Sequence, residues 1–101
     1  MVRHGITFAP NEIAEFCRQH HIRRLSLFGS VLRDDFTDKS DVDVLVEFEP
    51  GCRVGLIRLA GIEEELSQLG GWKVDLNTPG FLSPYFRDQV LAEAEVQYDA
   101  A

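Results

Sequence analysis

The chain has 101 residues, a formal net charge of −7 at pH 7 and 45% hydrophobic residues. This length suits one domain, 1–101, which buries roughly two thirds of its unfolded surface and leaves no room for a second domain. The acidity disfavours direct binding to nucleic acid, because phosphate contacts normally require clustered Lys and Arg, and it suits a basic protein partner instead.

The cysteines and the apolar segments indicate the cellular compartment in which the protein is expected. Only Cys17 and Cys52 are present, and Cys17 falls on the apolar stripe of a predicted helix, so a disulfide framework is not expected. No apolar stretch approaches the roughly 20 residues that span a bilayer, and the amino terminus lacks the apolar core of a signal peptide. We therefore expect a cytoplasmic protein with no membrane partner.

The first predicted element is a helix over about Pro10–His21, since Pro10 suits a first helical turn. Its inward face is formed by Ile13, Phe16, Cys17 and His20. A short apolar strand over about 24–28 follows and leads into a turn at Gly29-Ser30. Glycine lets the backbone approach a ligand closely, and a serine hydroxyl beside the free amides of a starting helical turn favours an anion such as phosphate.

A second strand is predicted over about 41–48, where the residues alternate between two faces. The core face holds Val42, Val44, Val46 and Phe48, and the other face holds Asp41, Asp43, Leu45 and Glu47. Asp41 and Asp43 therefore repel each other on one face, a conflict that a bound divalent cation would remove. The alternative is a solvated strand edge without a ligand.

A second helix and a third strand are predicted next. Apolar residues at helical spacing are Leu56, Leu59, Ile62, Leu66 and Leu69, and Gly70-Gly71 ends the run. The strand over about 72–77 turns Trp72, Val74 and Leu76 inward and places Asp75 on the opposite face. Asp75 can thus lie beside Asp41 and Asp43, the alternative being a plain surface acid.

A closing helix completes the predicted elements. Pro79-Gly80 predicts a turn, and Ser83-Pro84 supplies an N-cap and a first-turn proline. We expect Phe86, Val90 and Ala94 to face inward. The pair Tyr85-Phe86 could alternatively anchor a partner, with a core role favoured for Phe86.

Three segments together resemble the minimal nucleotidyltransferase group of the polymerase-beta-like superfamily. They are Phe28–Arg33, Ser40–Val46 and Val74–Leu76, and residues 82–88 also resemble the closing helix of these small proteins. The resemblance extends from about residue 10 to the end of the chain. It implies an α/β (α+β) nucleotidyltransferase fold, in which a small mixed β-sheet of three to four strands is flanked by helices.

The resemblance also implies a chemistry and a site. A nucleoside monophosphate is transferred from a triphosphate, ATP in the expected case, with two Mg²⁺ ions stabilising the attacking and leaving oxygens. The implied catalytic residues and metal ligands are Asp41, Asp43 and Asp75. The implied nucleotide- and phosphate-binding residues are Gly29, Ser30, Arg33 and Ser40, although Arg33 could also be a plain surface residue. Many relatives carry glycine where this chain has Asp34, a carboxylate that could alter phosphate binding.

Short members of this group often act as antitoxins of HEPN-domain ribonuclease toxins, in some cases by adding AMP to a toxin tyrosine. The resemblance therefore implies Mg²⁺-dependent transfer of AMP to a hydroxyl of a partner toxin. Two alternatives are open. The chain could neutralise the toxin by occlusion without catalysis, or it could modify a small molecule such as an aminoglycoside, which fits the motif but not the length.

Overall fold

Three α-helices and six strands form the described part of the computed structural model, which covers residues 2–3, 6–7, 9–33, 36–37 and 39–100. The helices are α1 (Pro10–Gln19), α2 (Leu56–Gly70) and α3 (Pro84–Glu93). The strands are β1 (Val2–Arg3), β2 (Ile6–Thr7), β3 (Ile22–Phe28), β4 (Val42–Phe48), β5 (Val74–Asn77) and β6 (Glu95–Asp99). The predicted helices and strands are all present, with ends that differ by a few residues.

The four longer strands form one mixed sheet in the order β5-β4-β3-β6. β4 and β5 run parallel, whereas β3 pairs antiparallel with both β4 and β6. The end of β3 and the beginnings of β4 and β5 therefore meet at one end of the sheet. β1 and β2 form a separate antiparallel pair, which the sequence analysis did not predict.

The hydrophobic core lies between this sheet and the helices α1 and α2. The buried residues of α1 are Ile13, Phe16 and Cys17, and those of α2 are Leu59, Ile62 and Leu66. Burial raises the pKa of the Cys17 thiol to about 12, and both cysteines are free. Of the five apolar residues at helical spacing, Leu56 does not join the core, because it is 70% exposed in the first turn of α2, whereas Leu69 is partly buried.

The face of the sheet opposite α1 and α2 is also partly covered. Leu45 of β4 and Ser26 of β3 are each 2% exposed and occupy paired positions. A 3-10 turn over Pro79–Phe81 contacts β4. Arg87 of α3 donates hydrogen bonds to the carbonyl oxygens of Pro79 (2.8 Å) and Leu82 (3.1 Å), so α3 is anchored to this turn. None of the helices in the described ranges is both long and apolar enough to cross a membrane.

The closing helix has the predicted cap but not the predicted packing. The Ser83 hydroxyl accepts the amide hydrogen of Tyr85, as expected for an N-cap. The predicted core position of Phe86 is wrong, since Phe86 is 61% exposed, and α3 has no buried residue. Val90 and Ala94 are only partly buried. The helix ends because Ala94 adopts an extended backbone and the chain enters β6, a strand that pairs with the free edge of β3 and was not predicted.

Two side chains of α2 hold the edge strand β5. The amide of Val74 donates to the Ser67 hydroxyl at 3.0 Å, and the amide of Leu76 donates to the Glu63 carboxylate at 2.8 Å. Unpaired amides on an edge strand invite pairing with other chains, and these two contacts satisfy them. Because Asp75 lies between Val74 and Leu76, the same contacts fix the backbone on both sides of it.

We predict that Glu63→Ala lowers the free energy of unfolding by about 1–3 kcal/mol, since it leaves the Leu76 amide without its charged acceptor. Glu64→Ala is the matched control, because Glu64 is exposed and contacts only Gln68 of the same helix among the described residues. Urea denaturation of the two variants checks the prediction. Equal stability of both would show that the contact to β5 adds nothing.

Candidate active site

Asp43 lies where three strands meet. In the sheet it pairs with Phe28 of β3 on one side and with Asp75 of β5 on the other. Paired positions of neighbouring strands place side chains on the same face, so the carboxylates of Asp43 and Asp75 are neighbours. Asp41 precedes β4 by one residue, and its carboxylate lies 3.8 Å from the Lys73 ammonium group. The structure thus brings the three predicted acids to one end of the sheet.

The protonation of Asp43 reflects these neighbours. Burial, then the charges of Asp75 and Asp41, raise the pKa of Asp43 from 3.8 to about 6, and the positive charge of Arg33 acts in the opposite direction. Desolvation and like charges both disfavour a carboxylate, and a nearby guanidinium favours it. The site therefore carries an excess of negative charge that a cation would stabilise.

Gly29 is required by the close approach of the Asp43 carboxylate. Its φ is +75°, in the left-handed region, and a Cβ built on it would collide with the Asp43 carboxylate oxygen and lie 3.2 Å from Asp43 Cγ. The turn that it begins is a short 3-10 helix, Gly29–Leu32, closed by a hydrogen bond from the Arg33 amide to the Ser30 carbonyl oxygen at 2.9 Å. Within the described ranges the Ser30 hydroxyl has no hydrogen-bond partner, so it is available to a phosphate.

Ser40 has a different position from the other predicted residues. Its hydroxyl accepts the Thr37 amide hydrogen at 3.1 Å, and its carbonyl oxygen accepts the indole hydrogen of Trp72 at 2.9 Å. Ser40 therefore braces the segment ahead of Asp41, and its phosphate-binding role stays a prediction. Asp34, whose carboxylate was expected to affect phosphate binding, lies outside the described residues, as do Asp35 and Asp38.

The three acids suit a hard cation whose remaining ligands come from the substrate. Mg²⁺ takes oxygen ligands and normally combines one or two carboxylates with substrate phosphates. In the described part of the chain, no three His, Cys, Asp or Glu side chains are placed so that they could hold a metal ion together, so Asp41, Asp43 and Asp75 do not form a preassembled three-ligand site. The paired Asp43 and Asp75, with Asp41 at the edge, suit a site that needs phosphate oxygens to fill its remaining positions.

Two clefts flank the acids. One of about 350 Å³ lies between the Gly29 turn and α3, and its lining residues are Phe28, Gly29, Arg33, Phe86, Gln89, Val90 and Glu93. The other, of about 520 Å³, lies between the segments that lead into β4 and β5 and includes Asp41, Trp72 and Lys73. A larger cleft of about 580 Å³ between α1 and α2 contains none of the predicted site residues. Gln89 and Glu93 belong to no sequence motif, and only the position of α3 brings them to the cleft beside the Gly29 turn.

The comparisons with known proteins agree on a family. Residues 10–96 match the model of the nucleotidyltransferase domain. The Methanocaldococcus jannaschii protein MJ0435, which is named as a protein adenylyltransferase, is 37% identical over 90 residues, covering 89% of this chain and 95% of that protein.

Two solved structures share the fold. A toxin–antitoxin crystal structure with AMP-PNP contains a similar chain, with a TM-score of 0.73 at 20% identity over 91% of this chain and 74% of the other. A complex of tri-AMPylated Shewanella oneidensis HEPN toxin with MNT antitoxin gives a TM-score of 0.65 at 21% identity over 89% and 69% of the two chains. The predicted nucleotidyltransferase fold is thereby confirmed.

We predict that Gly29→Ala lowers the free energy of unfolding by at least about 2 kcal/mol, because a left-handed backbone strain of about 1–2 kcal/mol adds to the collision with Asp43. Gly71→Ala is the matched control, since Gly71 has a similar φ of +70° but no atom near its Cβ position. Denaturation of both variants separates strain from collision. Equal losses would mean that the Asp43 carboxylate moves away freely.

We predict that Asp43→Asn stabilises the fold at pH 7.5 by about 1 kcal/mol. This is less than the full free energy that corresponds to the pKa shift, because solvent partly screens the Asp43 carboxylate. A pKa raised from 3.8 to about 6 makes the folded state bind its proton more tightly than the unfolded state, so wild-type stability falls as pH rises across this interval. The gain should therefore vanish at pH 3.5. Thermal unfolding at both pH values measures it.

The control for this comparison is Asp88→Asn, a substitution at an exposed position of α3. It should change stability by less than about 0.5 kcal/mol, as surface substitutions do. A gain for Asp43→Asn that persists at pH 3.5 would contradict the electrostatic explanation.

Proposed function

Because the chain belongs to the nucleotidyltransferase domain family, we propose that it transfers AMP from ATP to a hydroxyl of a HEPN-domain ribonuclease toxin, with tyrosine as the acceptor residue, and so acts as an antitoxin. The observation that supports this proposal most is the contact between the Gly29 turn and Asp43, which is paired with Asp75 in the sheet. A phosphate-binding turn and two acids meet at one point of the fold. This is the arrangement that phosphoryl and nucleotidyl transfer requires.

Each site residue has a role in the proposed reaction. The Gly29 backbone and the Ser30 hydroxyl bind the triphosphate, and Arg33 offsets its charge. Asp41, Asp43 and Asp75 would hold two Mg²⁺ ions, which when bound neutralise the developing charge on the attacking and leaving oxygens. The acceptor oxygen forms a bond to the α-phosphorus, the bond to the β-phosphate bridge breaks, pyrophosphate leaves with the electron pair, and the hydroxyl proton is released.

The size and charge of the chain support a protein acceptor. A nucleotidyltransferase domain of this size has little surface with which to enclose an acceptor, and a protein acceptor brings part of the site with it. A net charge of −7 favours docking on a basic surface, which an RNA-cleaving partner needs in order to bind its own substrate. The relative named as a protein adenylyltransferase adds support for protein modification.

A second candidate function, toxin neutralisation by occlusion, is favoured by the surface of α3. Tyr85 is 92% exposed and Phe86 is 61% exposed, and large aromatic residues at such positions commonly anchor protein partners. Binding through these residues would block a toxin without any chemistry. The two functions are separable by experiment because adenylyl transfer requires Asp41 and Asp43, whereas occlusion does not.

The test is the double substitution Asp41→Asn and Asp43→Asn in a complex with the toxin partner. We expect transfer of label from α-labelled ATP to fall by at least roughly a hundredfold, since the charge that stabilises the transition state is lost. Glu12→Gln with Glu64→Gln is the control, a loss of two exposed acids away from the site that should leave transfer unchanged. Retained transfer in the double Asp variant would overturn the assignment of these residues.

Protection of cells from the partner toxin distinguishes the two functions. An adenylyltransferase loses protection together with label transfer in the double Asp variant. A module that acts by occlusion keeps full protection without transfer, and loses protection when Tyr85, which is exposed and lies outside the cleft beside the Gly29 turn, is replaced by Ala.

A further inference from the structure

The cleft between the Gly29 turn and α3 has a lining that the transfer of phosphate alone does not explain. We propose that this cleft binds the nucleobase of the triphosphate and selects adenine, with Phe86 as the stacking surface and Gln89 as the reading group. The inference rests on the proposed function, and it assigns the base-binding residues that no sequence motif marks.

The position of the cleft favours the base over other occupants. Gly29 and Arg33 belong both to the phosphate-binding turn and to the wall of the cleft. A triphosphate held at this turn is therefore tethered beside the cleft, and its sugar and base can extend into it. The volume of about 350 Å³ falls in the range of sites that enclose small molecules.

The apolar wall suits a planar ring. Phe86 is 61% exposed although it lines the cleft, and Phe28 and Val90 form the rest of the apolar surface. Every base has a flat π-face that stacks on an aromatic side chain. The neighbouring Tyr85 is 92% exposed and is not among the lining residues, so the two adjacent aromatic residues differ in access to the cleft.

The polar wall distinguishes adenine from guanine. Gln89 Nε2 donates a hydrogen bond to the Glu93 carboxylate at 3.3 Å, which fixes the amide and leaves its carbonyl oxygen and one N–H for a ligand. Adenine presents an amino donor next to a ring-nitrogen acceptor, which matches this pair. Guanine presents a carbonyl oxygen at the same place, which would face the Gln89 oxygen and repel it.

The test is calorimetric titration of the purified protein with AMP-PNP and GMP-PNP in the presence of Mg²⁺. We expect Phe86→Ala to weaken AMP-PNP binding by about tenfold, as loss of a base-stacking surface does. The control Tyr85→Ala should change it less than about twofold, because Tyr85 lies outside the cleft. We expect the wild type to bind AMP-PNP about tenfold more tightly than GMP-PNP, and Gln89→Met to bring the two affinities close to equality.

The outcomes separate this inference from the proposed function. Equal AMP-PNP affinity of Phe86→Ala and Tyr85→Ala would overturn the base site, and so would a Phe86→Ala effect confined to the KM of the acceptor protein. Wild-type binding of inorganic tripolyphosphate with no gain from the base would also overturn it, while leaving the phosphate site intact. A wild-type protein that binds neither probe with Mg²⁺ would overturn both proposals.

Discussion

Repulsion between Asp43 and Asp75 is the constraint on which the candidate site depends. The two carboxylates occupy paired positions on the parallel strands β4 and β5, so the register of the sheet keeps them together. The core holds that register, because Val42, Val44 and Val46 of β4 are fully buried and each contributes about 1.5–3 kcal/mol. This exceeds the repulsion between two partly solvated charges, and a shift by one residue would turn the valines away from the core.

Helix α2 also prevents the two carboxylates from separating by movement of β5. An edge strand is free to move away from the sheet, and β5 is such a strand. Glu63 and Ser67 accept the amides of Leu76 and Val74, which lie on either side of Asp75. With β4 held by the core and β5 held by α2, the two carboxylates cannot separate, so the repulsion that Arg33 does not offset favours a proton or a bound cation. The fold thus keeps two carboxylates together beside the Gly29 turn, where the proposed function places the phosphates and the cation that would bind them.

The sequence predicts the parts of this site that depend on local pattern. The period-two alternation in 41–48 and 72–77 places Asp41, Asp43 and Asp75 on one face, and Gly29-Ser30 is readable as a turn. The pairing of Asp43 with Asp75 cannot be predicted from the sequence pattern, since it depends on the order of strands in the sheet. The core position predicted for Phe86 of α3 is wrong for a similar reason, because helical spacing does not reveal which surface a helix packs against. β6 was not predicted, because its five residues are partly exposed and do not show a clear apolar face. The strand forms by pairing with the edge of β3, which the local sequence does not indicate.

The position of the acids between two unlike clefts gives the proposed reaction a direction. In-line displacement requires the attacking and leaving oxygens to lie on opposite sides of the phosphorus. With the nucleotide on the β3 side, under α3, the acceptor must approach from the β5 side, where the second cleft is lined by Asp41, Trp72 and Lys73. Lys73 is 79% exposed there, and its ammonium group partly balances Asp41. A chain this small can then complete the nucleotide half of the site itself, and a protein acceptor would enclose the other half on docking.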